Sequence, residues 1–172
     1  MNFKEAVDVS EVIVRGYIDS VSDGRFIRYR NAPVIPPMQT SLIKIEVSKV
    51  LKGNPGKYVY FEYATGGNAR ELDDNKYPGE ILVFLRPDDR SESSYLIENS
   101  ANGLMHEVDK LYRLTLQSRL FIMEADVHGR KMLFSPLSEE GAALLSSPAK
   151  LDTFEDIERE VAAAMAEPNS RQ

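Results

Sequence analysis

Residues 40–63 of the chain, TSLIKIEVSKVLKGNPGKYVYFEY, determine its fold class. Ile43, Ile45 and Val47 alternate with polar residues, and the last six residues of the segment alternate in the same way. A side-chain period of two is typical of a strand with one buried face and one exposed face. Between the two halves, GNPG at 53–56 has the composition of a turn. The segment therefore predicts a long antiparallel pair of strands.

Other segments predict further strands. Apolar runs or alternating patterns place them at 11–21, 25–30, 80–86, 95–98, 119–127 and 130–134. Ser22-Asp23-Gly24 has the composition of a hairpin turn, so the first two of these strands are expected to be joined by it. A turn at His128-Gly129 would place Asp126 opposite Lys131. Residues 104–117 fit either a helix or a strand, and the strand is favoured for their later half.

Three helices are predicted, and the last is the longest. Short helices are expected at 2–9 and 138–145, and a longer one at 153–166. The apolar stripe of the longer helix, at a spacing of three to four residues, consists of Phe154, Ile157, Val161 and Met165. Asp152 followed by Glu155 fits a capping box at its start. The acidic residues around Glu158 are expected to face solvent.

The composition is that of a globular protein without cysteine. The chain has 172 residues, of which 42% are hydrophobic and 28% charged, which suits one domain with a buried core. The lack of cysteine excludes disulfides, thiolate metal sites and thiol nucleophiles. The net charge of −6 is unfavourable for general binding to phosphate backbones. No apolar run is long enough to span a membrane.

The sequence is compatible with more than one cellular location. The first residues, MNFK, lead directly into a polar segment and do not have the pattern of a signal peptide. An exported or periplasmic location is expected if a signal peptide was removed, and a cytoplasmic location otherwise. The oligomeric state cannot be derived from the sequence.

Five pieces of the sequence together resemble a family of small barrels. The pieces are VIVRGYIDSV, IKIEVSKVLKG, YVYFEY with Gly66-Gly67 behind it, PGEILVFLRP and RLFIMEADVHGRKM, and they span about residues 6–134. In this order they are similar to the tissue-inhibitor-of-metalloproteinases and netrin-module group, especially its cysteine-less bacterial relatives. The resemblance implies an OB-like barrel. It does not imply protease inhibition by metal chelation, because animal inhibitors chelate with an N-terminal cysteine, and Asn2 and Phe3 stand at the start of this chain.

The expected architecture is mainly β. A five- or six-stranded OB-like barrel is expected in residues 1–150, with a C-terminal helix at 151–167 packed on it and a frayed tail at 168–172. The residues expected in the core of the barrel are Ile45, Val47, Phe61, Val83 and Leu85.

A first candidate site is a metal site. If residues 106–116 and 118–128 paired as a hairpin, His106 would oppose His128, Asp126 would share their face, and Lys110 would oppose Glu124. Two histidines and a carboxylate suit a divalent metal with open coordination positions. The alternative is that His128 is a turn residue and His106 a surface residue. We favour this alternative and expect neither a metal nor a cofactor.

A second candidate site is the segment RFIRYR. Arg25, Arg28 and Arg30 are interleaved with Phe26 and Tyr29, and OB-type surfaces bind a single nucleic-acid strand with such cations and aromatic rings. The alternative is a solvated edge strand whose charges prevent edge-to-edge pairing. The acidic net charge favours this alternative.

A third candidate is the proline-rich loop APVIPPM. Pro33 and Pro36 have the PxxP spacing of segments that bind in aromatic grooves, although a stiff connector is the simpler interpretation. Val34 and Ile35 would place apolar side chains at the tip of the loop, where they could form a contact surface.

The sequence contains no catalytic motif that we recognise. It lacks a GxSxG elbow, a phosphate-binding glycine loop and HExxH. Asp73-Asp74 and Asp88-Asp89 are interpreted as solvated turn residues. Tyr58, Tyr60 and Tyr63 are interpreted as cross-strand packing.

The functional hypothesis is therefore a non-enzymatic β-barrel module that binds another protein, with the cell envelope as one location. The alternative is an OB-type single-stranded nucleic-acid binder that uses the strand at 25–30. An enzyme is not expected.

Overall fold

The structure, a computed structural model, combines one sheet with three helices in the part of the chain that it describes. It describes residues 1–29, 34–63, 79–88, 95–98, 110–116, 120–135, 139–146 and 151–168. The elements are α1 (Phe3–Val9), β1 (Val12–Tyr29), β2 (Met38–Lys52), β3 (Tyr58–Tyr63), β4 (Ile81–Pro87), β5 (Tyr95–Glu98), β6 (Leu111–Leu114), β7 (Phe121–Val127), β8 (Arg130–Phe134), α2 (Glu139–Ser146) and α3 (Phe154–Ala166). None of these helices is long and apolar enough to cross a membrane.

Five of the strands close into a ring of hydrogen bonds. β1 pairs with β2 and with β4, and β2 pairs with β3. β6 closes the ring, since it pairs in parallel with β3 and antiparallel with β4. Outside the ring, β7 pairs with β4, β8 with β7, and β5 with the last residues of β1. The prediction of a mainly β protein with an OB-like barrel and a C-terminal helix is confirmed.

The predicted pair at 40–63 forms as β2 and β3. Its register runs from Ser41 opposite Tyr63 to Glu46 opposite Tyr58. β2 continues past this pair to Lys52, and its later residues pair with the start of β1. The alternation of the sequence is kept, because Ile43, Ile45, Val59 and Phe61 are all buried on the inner side.

One apolar cluster fills the ring, with members from all five of its strands. The fully buried members from β1 to β6 include Val14, Ile43, Ile45, Phe61, Ile81, Val83, Leu85 and Leu114. Of the predicted core residues, Val47 alone is only partly buried, and it packs against this cluster. The barrel therefore has a closed apolar interior, which stabilises it by removing these side chains from water.

A second apolar cluster lies between the outside of the barrel and the helices. The outward residues Ile13, Leu82 and Phe84 belong to it, together with buried residues of α1, α2 and α3. β4 is thus buried on both faces, which explains the almost continuous apolar run of its sequence.

The predicted hairpin turn at Ser22-Asp23-Gly24 is wrong. β1 runs without a break through these residues, and its register against β2 shifts between Asp23 and Phe26. Here Gly24 approaches Thr40 so closely that a Cβ on Gly24 would lie 2.2 Å from the hydroxyl oxygen of Thr40. Gly24 therefore permits a β-bulge, and the bulge bends a strand that was expected to end.

The C-terminal helix α3 differs from its prediction in three details. Thr153 and Asp156 form the capping box, one residue later than expected. Ala164 is buried in place of Met165, whose side chain is 50% exposed. Glu158, expected in solvent, is largely buried, and its carboxylate accepts a hydrogen bond of 2.6 Å from Arg15 Nη1.

Arg15 and Lys49 of the barrel hold α3 through Glu158, and Glu80, just before β4, also binds Arg15. We call the four residues Arg15, Lys49, Glu80 and Glu158 the Arg15 clasp. Arg15 donates to both carboxylate oxygens of Glu80, at 3.2 and 2.7 Å, and Lys49 pairs with Glu158. The guanidinium of Arg15 also lies 4.8 Å from the ring centroid of Phe154.

The remaining predicted elements are found close to their expected positions. α1 and α2 form, and β5, β7 and β8 form with Asp126 opposite Lys131. The later half of 104–117 contains the strand β6, whereas residues 101–109 lie outside the described residues. Residues 169–172 of the predicted frayed tail also lie outside them.

Candidate functional site: a tyrosine-lined face of the barrel

Three tyrosines lie on the outer surface of β1 and β3, on either side of β2. Tyr17, Glu46 and Tyr58 are register partners across the three strands, and Lys44 and Tyr60 are partners in the next row. Because cross-strand partners point to the same side of a sheet, all five side chains point outward. We call this surface the tyrosine face, and it consists of Tyr17, Asp19, Lys44, Glu46, Lys57, Tyr58 and Tyr60.

The exposure of these residues follows from the alternation of β3. Val59 and Phe61 fill the barrel, so their neighbours Tyr58 and Tyr60 must lie on the opposite side. Both are partly exposed, and Tyr17 on β1 is 49% exposed. Tyr63, by contrast, is buried in the barrel, so packing is the correct interpretation for that tyrosine.

Two lysines hold the ring of Tyr58 in place. Lys44 Nζ lies 4.1 Å and Lys57 Nζ 5.1 Å from the centroid of this ring. Lys44 Nζ also lies 3.2 Å from Asp19, and Lys57 Nζ 3.5 Å from Glu46. The hydrogen bond to Asp19 raises the pKa of Lys44, and the hydrogen bond to Tyr58 raises the pKa of Lys57. Each positive charge of the tyrosine face is therefore paired with a carboxylate.

A pocket of about 290 Å³ opens beside Tyr58 and Tyr60. It is lined by Asn54, Pro55, Gly56, Tyr58, Val59, Tyr60, Lys110 and Tyr112. The parallel pairing of β3 with β6 brings Tyr112 and Lys110 to this position, because Tyr60 is the partner of Leu111. We call this cavity the Lys110 pocket.

Lys110 supplies the charge of the pocket. Its ammonium group pairs with Glu11, and Nζ lies 5.3 Å from the ring centroid of Tyr112. The hydrogen bond to Glu11 raises the pKa of Lys110, and burial raises the pKa of Tyr112. The pocket therefore presents aromatic walls, a protonated tyrosine and one ammonium group at neutral pH.

The predicted nucleic-acid strand does not present its first arginine to a ligand. Arg25 Nε donates to Glu62 at 2.7 Å and Arg25 Nη2 to Asp88 at 3.1 Å, and the side chains of both carboxylates are buried. The segment is not an edge strand either, because it lies between β2 and β5. Phe26 is partly exposed and Arg28 half-buried with a bonding partner, whereas Arg30 lies outside the described residues.

The tip of the proline-rich loop is exposed as expected. The side chain of Val34 is 91% exposed, and Ile35 is also an exposed apolar residue. Pro33 lies outside the described residues.

The hairpin required by the metal hypothesis does not form. β6 and β7 are not partners, because both pair antiparallel with the same edge of β4, β6 at Leu85–Pro87 and β7 at Ile81–Val83. Lys110 pairs with Glu11, whereas Glu124 pairs with Lys131. His128 is exposed in the turn with φ 54°.

The described residues contain no other candidate for a metal site. No group of three or more histidine, aspartate and glutamate side chains among them is able to hold an ion. His106, the other histidine of the metal hypothesis, lies outside the described residues. Asp126 is exposed and opposes Lys131.

Comparison with known proteins identifies no relative of this chain. No family model, no curated protein and no solved structure matches it.

Proposed function

We propose that this chain is a non-enzymatic β-barrel module that binds another protein through the tyrosine face. The observation that carries the proposal is the set of outward tyrosines on one face of a closed barrel, Tyr17 on β1 and Tyr58 and Tyr60 on β3, which flank β2. Tyrosine is enriched in protein interfaces, since its ring buries a large apolar area and its hydroxyl still forms hydrogen bonds.

The tyrosine face is also well ordered before binding. Two ammonium groups lie 4.1 and 5.1 Å from the centroid of the Tyr58 ring, and the backbone of Tyr58 belongs to the hydrogen-bonded ring of strands. A side chain that is already held in place loses little conformational freedom when a partner binds. This favours a recognition surface over a chance exposure of aromatic residues.

The fold supports the same surface. OB-type barrels bind oligonucleotides and oligosaccharides on the face of their second and third strands, and Tyr58 and Tyr60 lie on the third strand beside Lys44 of the second, so the tyrosine face has the position of a binding face. The proposal agrees with the resemblance to the inhibitor and netrin-module group. It includes the cell envelope as the location of the protein. Chelation of a protease metal, as in the animal inhibitors, is not part of the proposal.

Charge distinguishes this proposal from single-strand nucleic-acid binding. A nucleic-acid groove needs a net positive charge that faces the phosphates. On the tyrosine face Lys44 and Lys57 are each paired with a carboxylate, and Arg25 is paired with Glu62 and Asp88. These compensated charges favour a protein partner, whose surface carries both signs.

Site-specific photo-crosslinking tests the proposal. The crosslinker p-benzoylphenylalanine is introduced at Tyr17 and, as a matched control on α3, at Met165, which is similarly exposed. Both proteins are irradiated in extracts of the source cells. We expect one protein to be captured at position 17 and not at position 165. The double variant Tyr58→Ala/Tyr60→Ala should lose this adduct, and Val127→Ala on β7 should keep it.

Two results would contradict the proposal. The first is an adduct at position 17 that survives the loss of both tyrosines, since the tyrosine face would then not carry the binding. The second is an adduct of nucleic acid in place of protein. In that case binding to an oligonucleotide should weaken steeply as the salt concentration rises. Absence of any adduct that depends on Tyr58 and Tyr60 would also reject the proposal.

A further inference from the structure

We infer that the Lys110 pocket takes an acidic side chain of the protein partner, a glutamate or aspartate, with Lys110 as its counter-ion. The inference rests on the proposed protein binding through the adjoining tyrosine face. It adds the chemistry of the group that enters the pocket.

The charge of the pocket selects an anion. Among the described residues that line it, Lys110 carries the only formal charge. A cationic side chain would be repelled by this ammonium group, and the faces of Tyr58 and Tyr112 that attract cations are already occupied by lysines. A carboxylate would gain both a charge-assisted hydrogen bond and an aromatic wall for its methylene groups.

Glu11 shows that a carboxylate reaches this ammonium group. Glu11 stands just before β1, and its N–H donates to the carbonyl oxygen of Leu85 at 2.8 Å, which fixes its backbone. The side chains of Lys110 and Glu11 are 50% and 41% exposed. An ion pair between exposed groups contributes little stability, so an incoming carboxylate can exchange with Glu11 at small cost.

The size of the pocket suits one side chain. A volume of about 290 Å³ lies at the lower end of the range for ligand pockets. The walls are formed mainly by the rings of Tyr58 and Tyr60, by Tyr112 and by Pro55. Such walls contact an aliphatic stem, while Lys110, the Asn54 amide and the tyrosine hydroxyls are able to donate to a carboxylate.

A matched pair of peptides tests the inference. Acetyl-Phe-Glu-Gly-amide and acetyl-Phe-Gln-Gly-amide are titrated into the ¹⁵N-labelled full chain, and the shifts of the backbone amides are followed by NMR. We expect saturable shifts at Tyr58, Tyr60 and Lys110, with the glutamate peptide bound about two- to five-fold more tightly, the ratio for one partly exposed ion pair.

Two variants assign the effect to Lys110. Lys110→Gln should remove the preference for the glutamate peptide. Glu11→Gln should strengthen binding of that peptide about two- to five-fold, because it removes the competing carboxylate. Unchanged thermal midpoints in both variants establish that the fold is intact.

Equal affinity for the two peptides would overturn the inference. So would a preference that survives Lys110→Gln, or an affinity that does not rise in Glu11→Gln. The proposed function fails separately, through the crosslinking at Tyr17. If formation of the crosslinked adduct depends on Tyr58 and Tyr60 but not on Lys110, the proposed protein binding stands. The inference that an acidic side chain enters the Lys110 pocket is then rejected.

Discussion

Gly16 shows how a single residue controls the closure of the barrel. It lies on β1 between Val47 of β2 and Ile81 of β4. A Cβ at this position would lie 2.3 Å from the carbonyl oxygen of Glu46. Since that oxygen belongs to the backbone of a paired strand, it cannot move without disturbing the sheet.

Gly16→Ala should therefore destabilise the protein by about 1–3 kcal/mol, the usual cost of overpacking. Gly56→Ala is the matched control, because a Cβ on Gly56 would meet nothing within 4 Å. It should be neutral or slightly stabilising. Urea denaturation of both variants measures the difference, and equal midpoints would show that the strands adjust around the added methyl group.

Truncation of a side chain to alanine should cost much more stability on the buried face of β2 than on its exposed face. Ile45 is fully buried in the barrel, whereas Val50 on the same strand is 45% exposed. Ile45→Ala should cost about 2–5 kcal/mol, since it removes apolar contact and leaves a cavity. Val50→Ala should change the free energy of unfolding by less than about 0.5 kcal/mol. A cost below that limit for Ile45→Ala would mean that the assigned register is wrong.

At the residue scale, burial was predictable where the alternation was regular. Ile45 and Phe61 are buried as the period of two indicates, and Val83 and Leu85 as the continuous apolar run of β4 indicates. The same alternation places Tyr58 and Tyr60 outside, so their exposure could have been derived from Val59 and Phe61. The Lys110 pocket could not, because it depends on the parallel pairing of β3 and β6, which are far apart in the sequence.

At the scale of single elements, two errors have local physical causes. Ser22-Asp23-Gly24 has the composition of a turn, but a glycine in a strand also permits a bulge, and composition does not distinguish the two. In α3 both Ala164 and Met165 fit the helical period. α1 packs against α3, and Lys4 Nζ donates to the carbonyl oxygen of Ala164 at 3.0 Å, so the small side chain stands at the close contact.

The Arg15 clasp gives α3 a dependence on pH. Burial alone would raise the pKa values of Glu80 and Glu158. The hydrogen bonds that Glu80 accepts from Arg15 and Ser48 outweigh this effect of burial and lower its pKa. The hydrogen bonds that Glu158 accepts from Lys49 and Arg15 lower its pKa in the same way. A carboxylate with a lowered pKa in the folded state stabilises it above the ordinary glutamate value, about 4.3. That stabilisation is lost as the pH falls through the lowered values.

Glu158→Gln should therefore cost on the order of 1–2 kcal/mol at pH 7, where the parent has the full ion pair. The cost should shrink as the pH is lowered below about 4. Glu155→Gln is the control, since Glu155 lies on the same helix and is more exposed, 3.7 Å from Arg15. Chemical denaturation between pH 7 and 3 measures the free energy of unfolding of the parent and of the two variants. A cost of Glu158→Gln that is the same at every pH would contradict the assigned ion pair.

At the scale of the whole molecule, the fold class could be predicted from the sequence, whereas the closure of the barrel could not. Local alternation and turn residues indicate antiparallel strands, and these account for β2, β3, β7 and β8. The contact of β1 with β4 and the insertion of β6 between β3 and β4 are long-range pairings. No local pattern encodes them, which is why the hairpin proposed for the metal site placed β6 beside the wrong strand.

The same long-range organisation determines what removal of α3 should do. Phe154, Ile157 and Val161 of this helix are buried in the cluster that contains Leu82 and Phe84 of the barrel wall. Each large apolar side chain that leaves water contributes roughly 1.5–3 kcal/mol, so the three together contribute roughly 5–9 kcal/mol. Most single domains have a total stability of about 5–15 kcal/mol. The helix therefore belongs to the folded unit in energetic terms.

A chain truncated after Lys150 should have a markedly lower thermal midpoint than the parent, if it folds at all. The parent's own midpoint should not depend on protein concentration, because the helix packs within one chain. Ile157→Ala gives a milder form of the same test and should cost about 2–5 kcal/mol in the full-length protein, without any change in its state of association. Midpoints are measured by circular dichroism over a hundredfold range of concentration. If the truncated chain melts like the parent and loses only self-association, α3 serves to join two molecules and its packing on the barrel contributes nothing to the stability of one.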